Sequence, residues 1–317
     1  MLSERILATI KFFDLQDYPL TSFEVWRYLV SDVNSLKKQL DQNYELPLQL
    51  EETKSSVIHF DTLLVGLDVL VKDGQLYEKD GFYCLPDKVD IDVTTGSVSK
   101  HKLITQRLQN YRYGIRREKL IKRYLRFTRH LPFVRGISLA GSQALGLQRS
   151  TSDIDLLIIT DSRYMWLART FLTVYFQIFG VRRHGKKITN RFCLNHYIAN
   201  TREVDAERNL YKAMEYAKLR PVVYPQSTHE FQQANLPWIK IFFPNVIFNN
   251  DQPFATSVWQ TLFEFLLNHR VGLWLESKLG SIQLKRIKQD KYIFVKDDEL
   301  SFHPESKHEL LLKGFFG

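Results

Sequence analysis

Gly136-Ile-Ser-Leu-Ala-Gly141-Ser142-Gln-Ala-Leu-Gly146-Leu-Gln-Arg-Ser-Thr-Ser152-Asp153-Ile-Asp155-Leu-Leu-Ile-Ile-Thr160 is the stretch that decides the fold. Ile137 to Ala140 reads as a buried strand that stops at Gly141-Ser142. A glycine there lets backbone amides come close to a ligand. A short helix is predicted next, so its first N–H groups face the same spot and favour a phosphate. The Ser142 hydroxyl adds a further donor.

Asp153 and Asp155 follow, with Leu156 to Ile159 as an apolar central strand. Alternation along a strand puts both carboxylates on one face. Two neighbouring carboxylates repel each other unless something neutralises them. Mg²⁺ with oxygen ligands does so, and it is normally shared with substrate phosphates. A carboxylate pair opposite a Gly-Ser turn therefore points to metal-assisted phosphoryl or nucleotidyl transfer.

The pattern GS, ten residues, then DID resembles the signature of the polymerase β-type nucleotidyltransferase superfamily. GSQALG and SDIDLLI are similar to its small kanamycin-type and MNT-type members. The resemblance covers about Arg135 to Asn200. It implies a mixed α/β core, an NTP donor (ATP by default), Gly141 and Ser142 on the triphosphate, and Mg²⁺ on Asp153 and Asp155. It also implies a third carboxylate on a later strand. The expected strand is Arg191 to Ile198, where regular alternation puts Cys193, Asn195 and Tyr197 on one face and His196 on the other. Asn195 stands about where the acid belongs; its amide can ligate a metal but is no general base. Glu203 and Asp205 are alternative carboxylates. Arg182, Arg183, Lys186, Lys187 and Arg191 form a basic patch, with Lys187 and Arg191 the preferred triphosphate contacts. The expected activity is Mg²⁺-dependent transfer of NMP to an acceptor hydroxyl. The alternative is a catalytically degenerate site in a nucleotide-sensing or nucleic-acid-binding regulator.

Working outward, the fold class is α+β in four parts. Residues 1–90 read as three helices and a two-stranded wing, resembling a winged-helix domain. Its third helix, Phe60 to Lys72, carries Asp61 and Asp68 and is poorly equipped for DNA phosphates. Residues 91–130 hold a connector and a long basic helix, 131–200 the nucleotidyltransferase core, and 201–317 a mainly helical region. In that last region the aromatics Trp238, Phe242, Phe243, Trp259, Phe263, Phe265 and Trp274 read as core.

The net charge of +9 over 317 residues is unevenly placed. Residues 100–129 contain eleven Lys/Arg against Glu118 alone, +10 in one element, leaving −1 for the rest. Such an element suits a polyanionic partner such as RNA, DNA or a nucleotide, or a protein acceptor, or is a solvated face. Cys84 and Cys193 share no metal or disulfide spacing, and the N-terminus is unlike a signal peptide. The apolar run Trp166 to Phe179 is interrupted by Arg169 and is shorter than the roughly 20 residues of a membrane span. A cytoplasmic protein with no membrane contact is expected.

Overall fold

The computed structural model describes residues 1–47, 57–86, 90–91, 98–99, 102–199, 204, 208–248, 255–287, 294–296, 298–302 and 306–317. The N-terminal part runs α1 (Leu2–Asp14), β1 (Leu20–Thr21), α2 (Ser22–Arg27), α3 (Val33–Gln39), α4 (Phe60–Lys72), β2 (Tyr77–Lys79) and β3 (Phe82–Cys84). The strands form an antiparallel sheet in the order β1-β3-β2. Ile6, Ile10 and Phe13 recur at helical spacing on α1 and are all buried. Thr21 caps α2 and Glu24 returns the bond to the Thr21 amide, closing a capping box. The Asp14 carboxylate accepts the Leu85 N–H at 2.8 Å and ties α1 to the end of the hairpin. Helix α3 lies in a stretch whose polar sequence shows no period. It buries Leu36 alone and starts on an Asp32 cap.

Next come the short strands β4 (Asp90–Ile91) and β5 (Val98–Ser99), α5 (Lys102–Thr128), β6 (Val134–Leu139), α6 (Gly141–Leu145), β7 (Ile154–Thr160), α7 (Met165–Ile178) and β8 (Phe192–Ala199). The chain continues through α8 (Leu210–Ala217), β9 (Arg220–Val223), α9 (Pro225–Phe242), α10 (Val258–Leu267), α11 (Arg270–Arg286), β10 (Phe294–Val295), β11 (Glu299–Ser301) and α12 (Ser306–Phe316). A mixed six-stranded sheet in the order β10-β11-β8-β7-β6-β9 organises them. Its one parallel pair, β7–β8, is joined through α7; the other pairs are antiparallel. Lys291 to Phe302 reads as a short hairpin, and β10 and β11 pair antiparallel there; the sheet also draws β9 from the region that reads as mainly helical.

Side-chain alternation along β7 gives the sheet two apolar faces. Ile154, Leu156 and Ile158 join Ile121 and Leu125 of α5 and Leu172 and Phe176 of α7 in one core. Leu157 and Ile159 join α8, α9 and the N-terminal part in another. That second core is continuous from Ile6 and Phe13 to Trp238 and Phe316. Polar bonds reinforce it: the Ser31 N–H donates to Phe242 O at 2.9 Å, and Asn245 Nδ2 donates to Trp26 O at 2.8 Å. Among the described residues no helix is long and apolar enough to cross a membrane.

Two expectations need correction. Trp238, Phe242 and Phe243 are core, but Trp259, Phe263, Phe265 and Trp274 are exposed on α10 and α11. An apolar period marks a face; it does not say that anything covers it. Strand β8 is also not regular. Asp155 pairs with Cys193 but Leu157 pairs with His196, so β8 carries one extra residue across that interval. The bulge reverses the alternation beyond it. His196 therefore shares the Cys193 side, and Tyr197 falls into the opposite core.

Candidate active site

The site forms where β6, β7 and β8 present their ends together. Strand β6 stops at Leu139, Ala140 is extended, and Gly141 turns into α6 with φ +53°. A Cβ at Gly141 would lie 2.6 Å from Asp155 Oδ2, which no side chain tolerates. The Ala140 N–H also donates to Asp155 O at 3.0 Å. Helix α6 ends at Gly146, left-handed with φ +76°.

The connection to β7 is held from below by helix α5. Arg117 is buried, and its Nη2 donates to Arg149 O at 2.7 Å and to Ser150 O and Ser152 O at 3.0 Å. Its Nε donates to Asn190 Oδ1 at 2.7 Å. One guanidinium thus fixes the loop before Asp153 and the loop before β8. Arg107 is also spent internally, on Glu24 at 2.7 and 2.9 Å. Arg112, Arg116, Lys119, Lys122, Arg123 and Arg126 remain on the exposed face of α5.

Asp153, Asp155 and Cys193 bring their ligand atoms within 4.8 Å of one another. Arg183 Nη1 stands 2.8 Å from Asp153 Oδ2 and donates to Cys193 Sγ at 3.2 Å. The contact to Asp153 is out of line, so Oδ2 stays buried without a hydrogen bond. Arg183 reaches this position because the Val181–Arg183 segment bridges Phe192 at the start of β8. Burial, then the charges of Asp153 and Glu215, push the Asp155 carboxyl up to about 7, against the pull of Arg183 and a hydrogen bond from Cys193. Burial and the Asp155 charge push the Cys193 thiol up to about 12. The carboxylates are hard oxygen donors with one orphaned oxygen, so they suit Mg²⁺; a neutral thiol does not.

The structure joins Gly141, Ser142, Asp153 and Asp155 at one place. In register opposite Asp155 it puts Cys193, ahead of the bulge, and Asn195 comes after that pair. Asn195 lies within that bulged part of β8, and its side chain is outside the described residues, as are Glu203 and Asp205. Of the basic patch, Arg183 is the residue paired with Asp153; Lys187 and Arg191 are expected on the triphosphate rather than on the carboxylates. Lys187 sits in a small exposed turn bridged to His184, and the Arg191 carbonyl accepts the Ile154 N–H.

Sequence reasoning also missed Glu215. It is buried on α8, paired with Lys212 at 3.1 Å, and its charge reaches Asp155. Lys212-x-x-Glu215 looks like any solvated i,i+3 pair; the buried residues around it on α8 are the one available signal. His196 is structural: its Nε2 meets Glu299 Oε1 at 2.9 Å. Burial works to raise the Glu299 carboxyl, yet the hydrogen bond with His196 and the electrostatic pull of its surroundings, Lys212 and Lys296 included, outweigh it and hold it below its usual range.

Neither a curated protein nor a solved structure gives a match to the chain. Residues 118–228, which hold the Gly-Ser turn, both carboxylates, Arg183, Cys193 and Glu215, match the family model described as nucleotidyltransferase domain.

Proposed function

We propose that the protein transfers NMP from an NTP, ATP by default, to an acceptor hydroxyl and releases pyrophosphate. The observation that carries this reading is the contact of Gly141 with Asp155, which puts a side-chain-free backbone beside a carboxylate pair. Asp153 and Asp155 would hold Mg²⁺, which supplies charge neutralisation for the triphosphate and for the leaving pyrophosphate. Gly141 and Ser142 would present backbone N–H groups and a hydroxyl to phosphate oxygens. Arg183 steadies Asp153 and carries a second positive charge at the site. Lys187, Arg191 and Asn195 remain proposed contacts of the triphosphate and the metal. Arg117 positions the loop that delivers Asp153.

A second reading, an NTP-binding regulator without turnover, draws on Cys193. A thiol pushed up to about 12 stands in register with Asp155 and cannot take the acceptor proton. The N-terminal part supports a winged-helix-like assignment through its element order and β1-β3-β2 sheet. Its α4 favours protein contact over DNA: Lys72 is tied to Asp68 at 2.5 Å, and Val65 and Val69 are exposed. RNA, DNA or an acidic protein acceptor would use the exposed cations of α5. The buried thiols of Cys84 and Cys193 fit a reducing cytoplasm.

The test is pyrophosphate release with Mg²⁺ and each NTP, in the presence of RNA, DNA and protein acceptors. Release that disappears in Asp153→Asn supports the transferase. Saturable NTP binding with no release under any condition rejects it in favour of the regulator.

A further inference from the structure

Away from the carboxylate site, α10 and α11 are built with their polarity reversed. Helix α10 turns Gln260 and Glu264 inward. Gln260 Nε2 donates to Val134 O at 2.7 Å, and its Oε1 accepts from the Tyr224 hydroxyl at 2.6 Å. Glu264 accepts the Phe133 N–H and an Arg135 N–H, each at 2.7 Å. The outward residues are Val258, Trp259, Leu262, Phe263, Phe265 and Leu266, between 45% and 82% exposed. At 3.6 residues per turn they cover an arc of about 160°, and no charged residue falls within it. A surface helix in water carries its polar residues on that side.

Helix α11 docks in the same way. Its Glu276 accepts the N–H groups of Trp166 and Leu167 at 2.7 Å. Gly280 lies against Trp166, where a Cβ would come within 2.9 Å of the ring. Val271, Leu273, Trp274, Ile282 and Leu284 face outward, interleaved with the exposed Arg270, Lys278 and Lys285, and Arg286 ends the helix. Glu264 and Glu276 are the only acids between residues 255 and 287, and both are spent inside. The exposed charge of the helix pair is therefore wholly positive. Together the two helices expose on the order of 1,000 Å² of apolar side chain, against about 300–600 Å² for the largest patch on a typical monomer.

Aromatic and aliphatic side chains interleaved with lysine and arginine, with no exposed acid, equip a helix to lie among the headgroups of an anionic bilayer. Trp259 and Trp274 suit that interface, and lysine stems pass over apolar neighbours to keep their ammonium groups at the lipid phosphates. A second copy of the chain fits less well, since it would bring the same cations to a contact whose core is depleted in lysine. A rigid acidic protein would cover only part of the α10 arc, whereas lipid closes round a convex ridge. We propose that α10 and α11 seat the protein on the surface of an anionic membrane, with the α10 arc at the acyl chains and the cations of α11 on lipid phosphates. The contact is peripheral: among the described residues no helix is long and apolar enough to cross a membrane. It departs from the expectation, drawn from the sequence, of no membrane contact, and it does not depend on nucleotidyl transfer.

Co-sedimentation of the full chain with sucrose-loaded vesicles tests it, using phosphatidylcholine alone and phosphatidylcholine with about 30 mol% phosphatidylglycerol. Binding to the anionic vesicles should be at least about tenfold stronger than to the neutral ones, and should fall at least about tenfold between about 50 and about 500 mM NaCl. Trp259→Gln combined with Phe265→Gln should weaken it at least about tenfold. Lys278→Gln, Lys285→Gln and Arg286→Gln together should weaken it on the order of a hundredfold. All five side chains are exposed, so these variants should unfold at the wild-type temperature. Lys119→Gln with Arg123→Gln on α5 controls for its separate cations and should retain binding. No binding to anionic vesicles, equal binding to neutral ones, wild-type binding by the α10 variant, or loss confined to the α5 variant overturns the proposal. So does a dimer in light scattering that the α10 variant dissociates while vesicles stay unbound, which assigns the face to a second copy.

Discussion

Gly141 and Asp155 touch across the turn between β6 and α6, with room for a hydrogen but not for a methyl group beside Oδ2. The glycine also holds φ +53°, a left-handed conformation that costs other residues roughly 1–2 kcal/mol. Gly141→Ala is therefore expected to lower stability by about 1–3 kcal/mol and to reduce pyrophosphate release at least a hundredfold. Urea unfolding and a coupled phosphate assay read the two effects separately. Activity within threefold of wild type would show that the close approach has no functional role.

Asp155 combines burial with two like-charged neighbours, Asp153 and Glu215. Asp155→Asn keeps the shape and removes that repulsion. In EDTA it should stabilise the protein on the order of 1–2 kcal/mol while abolishing turnover, the trade-off expected of a functional carboxylate. A destabilised Asp155→Asn in EDTA would argue that the residue is there for the fold.

Arg117 is a positioning residue, reaching three carbonyls and Asn190 from α5. Arg117→Met leaves those acceptors unpaired and should cost about 2–4 kcal/mol. The reading predicts a larger loss in kcat than in KM for NTP, with partial recovery in Arg117→Lys. Equal losses in both variants and an unchanged kcat at a temperature where each is folded would reduce Arg117 to a purely structural role.

Lys218 is enclosed by the rings of Tyr18, Tyr28 and Phe13 at 4.2, 4.8 and 5.1 Å, with Glu24 at 4.0 Å. Burial pushes its ammonium down to about 7, despite the attraction of Glu24. In the unfolded chain it titrates near its ordinary 10.5. Between those values the unfolded state holds a proton that the folded state has released. This group therefore makes stability rise with pH from about 7 to about 10.5, by at most about 1.4 kcal/mol per pH unit, and adds no slope below 7. Denaturation at pH 6, 8 and 10 should show Lys218→Met more stable than wild type at pH 6, with the gap closing as pH rises. A constant gap would mean that Lys218 stays charged throughout.

The most legible part of the chain was the run from Gly136 to Thr160, because strand, turn and strand each left a separate mark in it. Helix α4 was equally clear, since its leucines repeat at helical spacing and Asp73-Gly74 ends it. The rest depended on geometry that no local pattern carries. The bulge in β8 adds one residue and exchanges the faces of His196 and Tyr197. Arg183 reaches Asp153 through the bridge of its neighbours to Phe192, which five similar basic residues between 182 and 191 could not reveal. Helix α9 was hidden by Pro225, Pro237 and a polar composition, although proline at the first turn is favourable and Pro237 is accommodated within a helix buried against β6. Glu215 leaves no local mark of its burial, which the enclosure of α8 decides.

The shared apolar interior that runs from α1 to α9 and α12 means that the amino-terminal third is no detachable accessory. Severing the chain near residue 95 would expose Phe13, Tyr28 and Leu67 on one piece and Trp238 and Phe243 on the other, and neither fragment would remain monomeric. Leu157 and Ile159 of β7, the strand that carries Asp155, belong to that interior together with Leu63, Leu67 and Leu70 of α4, so the amino-terminal helices help to seat the strand.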